Sequence, residues 1–143
     1  MSLVKTWIAN GGKVTMQSLL DLHRRDPDAL NDLLDYVQDS PLFDSVSTDD
    51  RDFLLVHSGF ENFDPDKPLS AYEPDDLLWH RPQPDERYYD DMITILGHTP
   101  TFFYGCPGKM YVTDTWIDID TGAASGGAPM LLRLDDMKAF YAD

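Results

Sequence analysis

Two short apolar runs place the strongest constraint on the fold of this chain. Phe53–Val56 is followed directly by His57, and Met92–Leu96 is followed by Gly97 and His98. Runs of this length, rich in branched and aromatic side chains, are typical of strands that are buried on both faces. A side chain that follows such a strand can project from a rigid sheet into a crevice. The sequence therefore predicts two core strands, each with a histidine at its end.

The first third of the chain has the pattern of helices instead. Apolar residues recur at helical spacing from Thr15 to Arg25, and Asp26 and Pro27 then provide the cap and the first residue of a second helix. In this second helix an apolar stripe repeats at i, i+3, i+4 and i+7, which predicts a buried face. The stripe consists of Leu30, Leu33, Leu34 and Val37.

Weaker signals complete an α+β fold in which helices come first and strands follow. Trp116–Asp120 alternates apolar and acidic residues, as a half-buried strand does. Strands are also predicted at Met110–Val112 and Met130–Leu134. We therefore expect one domain with a helical segment over residues 1–48 and a β-rich segment with long loops over residues 49–143.

Charge and cysteine content restrict the partners of the chain. Its 143 residues include 11 Lys and Arg against 26 Asp and Glu, a formal net charge of −15. Such a surface repels phosphate backbones and anionic lipids, so we expect no nucleic-acid and no membrane partner. We also expect no transmembrane helix and no signal peptide. Cys106 is the only cysteine, which excludes an internal disulfide and favours a cytoplasmic location.

Histidine and arginine side chains are the main candidates for chemistry. If the two core strands are neighbours, the imidazoles of His57 and His98 could share one cation. The alternative is that each imidazole terminates a strand and is satisfied by a backbone carbonyl. Arg81, which directly precedes a proline, could bind a phosphate through two parallel hydrogen bonds; the alternative is a surface arginine that pairs with acids. His23 and His80 are expected to be a helix-end and a surface histidine.

Acidic and hydroxyl side chains are weaker candidates. The Asp-Thr-Gly sequence that begins at Asp120 follows a strand, as in aspartic proteases, where two such carboxylates share a proton. The helical first third of the chain does not match that class. Asp118, Asp120 and Gly122 also match part of a calcium loop, but no glutamate follows at its twelfth position. Ser58 lacks the Gly-x-Ser-x-Gly turn of a nucleophilic serine.

Five segments, taken in order, resemble one known family. They are Trp7–Gly12, Val56–Phe60, Asp76–Arg81, Leu96–Thr101 and Ile117–Ala123. Together they resemble the second half of a calcineurin-like metallophosphoesterase, in the serine/threonine protein phosphatase-like branch that includes phage phosphatases and symmetrical dinucleoside tetraphosphatases. The resemblance implies the C-terminal half of a four-layer αββα sandwich with a mixed sheet. It also implies a hydrolase whose substrate is a phosphorylated protein or small molecule.

The resemblance implies roles for particular residues. In the family a pair of divalent metal ions (manganese, iron or zinc) activates a bridging water for attack on phosphorus. The histidines of its His-Ala-Gly and Gly-His-Thr motifs bind the same metal, which implies that role for His57 and His98. Arg81 is implied as a residue that faces the substrate phosphate. The Asp-Thr-Gly stretch of the family is structural, which implies a structural role for Asp120.

The motifs of the first half of the family do not occur in this chain. Asp-x-His, Gly-Asp-x-x-Asp-Arg-Gly and Gly-Asn-His-Glu would supply the other metal ligands and the general acid. We therefore expect a truncated phosphoesterase that has no catalytic residue of its own, binds metal weakly or not at all, and is inactive alone. An apolar sheet edge and face without their partner sheet are expected to drive self-association. The alternative is a non-catalytic acidic interaction module that keeps the half-fold.

Overall fold

A computed structural model describes residues 3–142 of the chain, and the contacts among them divide the chain into two units. The first unit, which ends at Pro41, is helical. It comprises α1 (Leu3–Trp7), α2 (Lys13–Arg25) and α3 (Pro27–Gln38). Between α1 and α2 the chain kinks at Gly11, whose φ of +93° is a left-handed value that glycine adopts without strain.

Local sequence signals account for α2 and α3. The Asp26 carboxylate accepts a hydrogen bond from the Ala29 backbone N–H at 3.1 Å, and Pro27 occupies the first turn of α3. Arg24 and Arg25 lie in the last turn of α2, near the negative end of the helix dipole. Both predicted helices are thereby confirmed.

The buried stripe predicted for α3 is wrong. None of the 12 residues that the structure describes in α3 is buried, and Leu33, Leu34 and Val37 are 39%, 50% and 63% exposed. α3 packs against α2, but two helices cover only a narrow strip of each other, and a stripe this wide needs a further layer. Helical spacing therefore predicted the helix correctly but not a partner for its apolar face.

The second unit, from Leu42 onward, contains a five-stranded mixed sheet and a two-stranded antiparallel hairpin. The strands are β1 (Phe43–Ser47), β2 (Asp52–Val56), β3 (Met92–Leu96), β4 (Tyr111–Val112), β5 (Trp116–Asp118), β6 (Met130–Arg133) and β7 (Lys138–Tyr141). In the sheet they lie in the order β1-β2-β3-β5-β4. β2, β3 and β5 run parallel, and the two edge strands are antiparallel to their neighbours. A short helix, α4 (Pro74–Leu78), lies in the connection from β2 to β3.

Both faces of the sheet are covered by apolar side chains. Alternate residues of a strand point to opposite faces, so each central strand contributes to two clusters. One cluster has as its buried members Leu54, Val56, Phe60, Tyr72, Leu77, Tyr88, Leu96 and Trp116. The other has Phe53, Ile95 and Ile117, with Leu132, Leu134 and Met137 packed against it. The α+β class, with helices first and a mixed sheet after them, is thus confirmed.

Covering of both faces corrects two expectations from the sequence. β5 is buried along its whole length rather than half-buried, since Trp116, Ile117 and Asp118 are only 0%, 4% and 0% exposed. The apolar face expected to be exposed on the sheet is covered by Leu132 and Met137, from the hairpin and its turn. The sequence predicted the central strands and β6, but not that the hairpin of β6 and β7 packs over the sheet.

Two strands were not predicted from the sequence. β1 lies inside the segment expected to be helical, and β7 lies at the end of the described chain. Both are edge strands with mixed composition, and both are held by pairing, β1 with β2 and β7 with β6. Strand propensity in such positions depends on the neighbouring strand more than on the residues themselves. No helix within residues 3–142 is both long and apolar enough to cross a membrane.

Candidate functional site

The two candidate histidines lie side by side at one edge of the sheet. β2 and β3 are adjacent and parallel, so their carboxyl ends meet at the same edge, and His57 and His98 follow those ends. His57 Nε2 lies 3.2 Å from His98 Nδ1, and the ring centroids are 5.0 Å apart. The Gly97 backbone N–H donates to the His57 carbonyl at 3.0 Å, which joins the two turns. The fold therefore brings the two imidazoles together.

The separation of the two ring nitrogens fits neighbouring ligands of one metal ion. With zinc–nitrogen distances of about 2.0–2.1 Å, a tetrahedral site places two ligand nitrogens about 3.3–3.4 Å apart. The 3.2 Å between His57 and His98 is close to that value, and it also suits a hydrogen bond between the rings. Within residues 3–142, no three or more His, Cys, Asp and Glu side chains are grouped so as to hold a metal ion. The two imidazoles thus fit part of a coordination sphere.

The surroundings of His98 favour its neutral form. Partial burial lowers the pKa of His98, and the imidazole of His57 and the guanidinium of Arg81 lower it further, against the opposing carboxylate of Asp120. A neutral imidazole keeps the lone pair that binds a metal or accepts a hydrogen bond. His98 also has a φ of +69°, an uncommon conformation for a residue with a Cβ, and such strained residues cluster at functional sites.

Ser58 links the turn after β2 to the segment that carries Arg81. Its side chain is fully buried. Its hydroxyl donates to the Leu77 carbonyl at 2.8 Å and accepts a hydrogen bond from the His80 backbone N–H at 3.1 Å. Because the hydroxyl is enclosed and uses both its donor and an acceptor position, Ser58 serves as a brace for this segment.

Arg81 borders the same groove as His98. Its Nη1 donates to Thr99 Oγ1 at 3.5 Å, one residue beyond His98. The ion pairs found among residues 3–142 do not include Arg81, although acids are abundant in the chain. Arg81 as a residue is exposed, and its guanidinium lines the groove, where it can bind an anion.

Two aspartates shape the turn after β5. Asp118 Oδ1 accepts the Asp120 backbone N–H at 2.7 Å, and Asp120 Oδ1 accepts the Gly122 backbone N–H at 2.9 Å. Both contacts are of the Asx-turn type. Asp118 Oδ2 is buried and has no hydrogen-bond partner among the described residues, and burial raises the pKa of Asp118 to about 7. The acids of this stretch therefore act on the backbone of the turn.

His80 was expected at the surface, and this expectation is wrong. Its side chain is only 15% exposed, because Glu61 and Glu86 enclose it. His80 Nδ1 lies 2.9 Å from Glu61 Oε2, and Nε2 lies 2.8 Å from Glu86 Oε2. Sequence analysis missed this cluster because its members are far apart in the chain and form no motif.

A methyl group at Gly59 is expected to destabilise the turn after β2. Gly59 has a φ of +99°, and a Cβ there would lie 2.5 Å from the hydroxyl oxygen of Tyr88. That hydroxyl accepts the Phe60 backbone N–H at 3.3 Å. Because Gly59→Ala adds both backbone strain and a steric clash, it is expected to lower the free energy of unfolding by about 2 kcal/mol, as measured by urea denaturation.

Gly105→Ala is the matched control for this substitution. Gly105 also has a positive φ, +76°, but a Cβ there would have no heavy atom within 4 Å. The control isolates the cost of the backbone conformation, which is about 1 kcal/mol. Equal losses in Gly59→Ala and Gly105→Ala would show that the Tyr88 contact does not restrict this turn.

Comparisons with known proteins do not assign this site to a family. Neither a scan against models of protein families nor a search of curated proteins gives a match.

Proposed function

We propose that this chain is the C-terminal part of a metal-dependent phosphoesterase that resembles the serine/threonine protein phosphatase-like branch of the calcineurin-like metallophosphoesterases. The observation that carries the proposal is the 3.2 Å approach of His57 Nε2 to His98 Nδ1 at the ends of two adjacent parallel strands. Arg81, on the groove that His98 also lines, supplies a cation for a phosphate. The order of the five family-like segments supports the same proposal.

Each residue of the site has a defined part in this function. His57 and His98 would hold one ion of a divalent pair of manganese, iron or zinc. When bound, such a pair supplies an activated water for in-line attack on phosphorus. Arg81 binds and orients the phosphate through its planar, multi-donor guanidinium. Ser58 keeps the Arg81 segment against the turn that carries His57.

The remaining ligands and the general acid belong to motifs outside this sequence. In the proposal these are the Asp-x-His, Gly-Asp-x-x-Asp-Arg-Gly and Gly-Asn-His-Glu motifs of a preceding segment. The four-layer αββα sandwich is part of the same proposal, with the five-stranded sheet as one of its two sheets. This chemistry requires two metal ions about 3.5–4 Å apart. Two imidazoles without these partners cannot hold such a pair.

The chain alone is therefore expected not to hydrolyse phosphoesters. Purified chain with manganese is expected to turn over p-nitrophenyl phosphate no faster than its His57→Ala variant. The reason is that the second metal position and the general acid are missing. Manganese-dependent turnover well above the His57→Ala control would contradict the need for further motifs.

The DNA that precedes the codon for Met1 provides the test of the proposed function. An open reading frame that encodes the three missing motifs is expected there. The longer protein should then hydrolyse a phosphoester in a panel of phosphopeptides, dinucleoside polyphosphates and small phosphoesters, with manganese, iron or zinc. His57→Ala and His98→Ala should each reduce that rate at least 100-fold. A longer protein with no metal-dependent activity would contradict the proposal.

A non-catalytic acidic interaction module is the second candidate. It is favoured by the exposed Tyr36 and Val37 of α3, at 74% and 63%, which suit association with a second copy of the chain or with another protein. A start codon and ribosome-binding site directly at Met1 would support this candidate. Analytical ultracentrifugation tests self-association. A dimer that forms as the protein concentration rises is expected, and a monomer at high concentration would contradict self-association.

A further inference from the structure

A groove beside the two histidines has an aromatic wall that phosphate binding does not require. Its volume is about 770 Å³, within the range of about 300–1,000 Å³ that is usual for small-molecule sites. Arg81 and His98 line it, together with Phe102 and Phe103. A cationic side chain and two phenyl rings therefore share one concave surface.

Two hydrogen bonds connect the two segments that line the groove. Tyr104 Oη donates to the Pro82 carbonyl at 3.0 Å, and Arg81 Nη1 donates to Thr99 Oγ1 at 3.5 Å. Each bond joins residues 81–82 to residues 99–104, the two segments that line the groove. Binding to a site that is already formed loses little conformational freedom, so even a small ligand can bind there.

The phenyl rings of the wall are exposed to solvent. Phe102 and Phe103 are 41% and 67% exposed, with ring centroids 4.6 Å apart and planes tilted by 34°. The position of Phe102 is constrained by the turn after β5, since a Cβ at Gly122 would lie only 3.3 Å from its ring. Adjacent exposed aromatic rings on a concave surface are typical of a site for an apolar or planar ligand.

The charge of the groove favours an anionic ligand. Arg81 is exposed, and the ion pairs among residues 3–142 leave it out, whereas the chain as a whole carries −15. An anionic group that enters the groove can therefore bind Arg81 without displacing a carboxylate. The same ligand would then place its remaining atoms near the phenyl rings.

We propose that this groove binds a small phosphoester whose phosphate is carried directly by a planar aromatic ring. Arg81 binds the phosphate, and Phe102 and Phe103 contact the ring. The choice of phosphate as the anionic group and the hydrolysis of such a ligand rest on the proposed function, whereas the preference for an aromatic ligand rests on the groove itself. Phe102 and Phe103 thereby determine the preference for an aromatic over an aliphatic phosphoester.

The test compares phosphoesters of equal charge by NMR titration of the full chain without metal. Phenyl phosphate is expected to bind about threefold more tightly than cyclohexyl phosphate and about tenfold more tightly than methyl phosphate, because ring stacking adds to burial of the apolar group. The protein resonances that shift when phenyl phosphate binds should include those of residues 99–104. Equal affinities for phenyl and methyl phosphate would overturn the proposal.

Substitutions test whether the phenyl rings cause the preference for an aromatic phosphoester. Phe103→Ala, and Phe103→Leu as a variant that keeps apolar bulk, should each lower the affinity for phenyl phosphate about threefold to tenfold without changing that for methyl phosphate. Phe140→Ala is the control, because Phe140 is 40% exposed and lies on β7, not on the groove. Arg81→Gln should weaken both phosphates. Phe103 variants that keep the wild-type preference would overturn the proposal.

The outcomes for binding and for hydrolysis are separable. An aromatic preference in the chain, with no phosphoesterase activity in the longer protein, would contradict the proposed function alone. Metal-dependent hydrolysis without any aromatic preference would contradict the groove proposal alone.

Discussion

Replacement of Trp116 by alanine is expected to lower the free energy of unfolding by about 3–5 kcal/mol. Trp116 is fully buried in β5, a central strand of the sheet. Its ring packs against Tyr104 and Tyr111, with centroids 5.8 Å and 5.5 Å away, and its Nε1 donates to the Glu86 carbonyl at 3.0 Å. The substitution removes this packing, leaves a cavity and deprives a carbonyl of its hydrogen bond.

Urea denaturation measures this loss, and Trp79→Ala is its control. Trp79 is 64% exposed, so its replacement is expected to change the free energy of unfolding by about 0.5 kcal/mol or less. A loss below about 1 kcal/mol in Trp116→Ala would contradict a core built on β5. If Trp116→Ala does not fold at all, Trp116→Phe, which keeps an aromatic ring, should show a smaller loss.

Replacement of Asp118 by asparagine is expected to stabilise the protein above neutral pH. Burial raises the pKa of Asp118 from 3.8 to about 7, so between about pH 4 and pH 7 the folded state binds this proton more readily than the unfolded state. Its contribution to stability therefore falls as the pH rises through that window. Between pH 5 and pH 8 the titration of Asp118 is expected to lower the free energy of unfolding by on the order of 2–3 kcal/mol.

Asparagine removes this titration and keeps the oxygen that accepts the Asp120 N–H. Urea denaturation should show that the free energy of unfolding of the wild type is lower at pH 8 than at pH 5. In Asp118→Asn this decrease should be smaller by about 2–3 kcal/mol. Asp114→Asn, at an 86% exposed side chain, should leave the drop unchanged. Asp136 titrates below this window, because Arg133 lowers its pKa to about 2. If the free energy of unfolding decreased equally from pH 5 to pH 8 in Asp118→Asn and wild type, this would contradict a raised pKa at the buried carboxyl of Asp118.

The core strands could be predicted from the sequence because strands that are buried on both faces consist almost entirely of apolar residues. Phe53–Val56 and Met92–Leu96 are apolar on both faces, and both predictions are confirmed as β2 and β3. The composition of β1 and β7 gives no such signal, since these edge strands are held by hydrogen bonds to the adjacent strand across a short turn. The exposed stripe of α3 shows the converse, because periodicity reveals an apolar face without revealing what covers it.

The candidate site could be predicted only in part. The two histidines are marked by their position after core strands, and parallel pairing of β2 with β3 brings them together. The hydrogen bond from the His80 backbone N–H to Ser58, and the contacts of the His80 ring with Glu61 and Glu86, form across loops. Loop conformation follows from such contacts rather than from local propensity, so sequence patterns did not reveal them.

Nitrogen-15 NMR of the histidine rings during zinc titration tests the shared metal site most directly. If His57 and His98 hold one ion, His57 Nε2 and His98 Nδ1 should shift together, with one weak saturation curve, while the ring nitrogens of His23 do not shift. In His57→Ala the shift of His98 should require at least about tenfold more zinc, as expected when a neighbouring part of a metal site is lost. Independent zinc saturation curves for His57 and His98 would contradict a metal site shared by these two histidines.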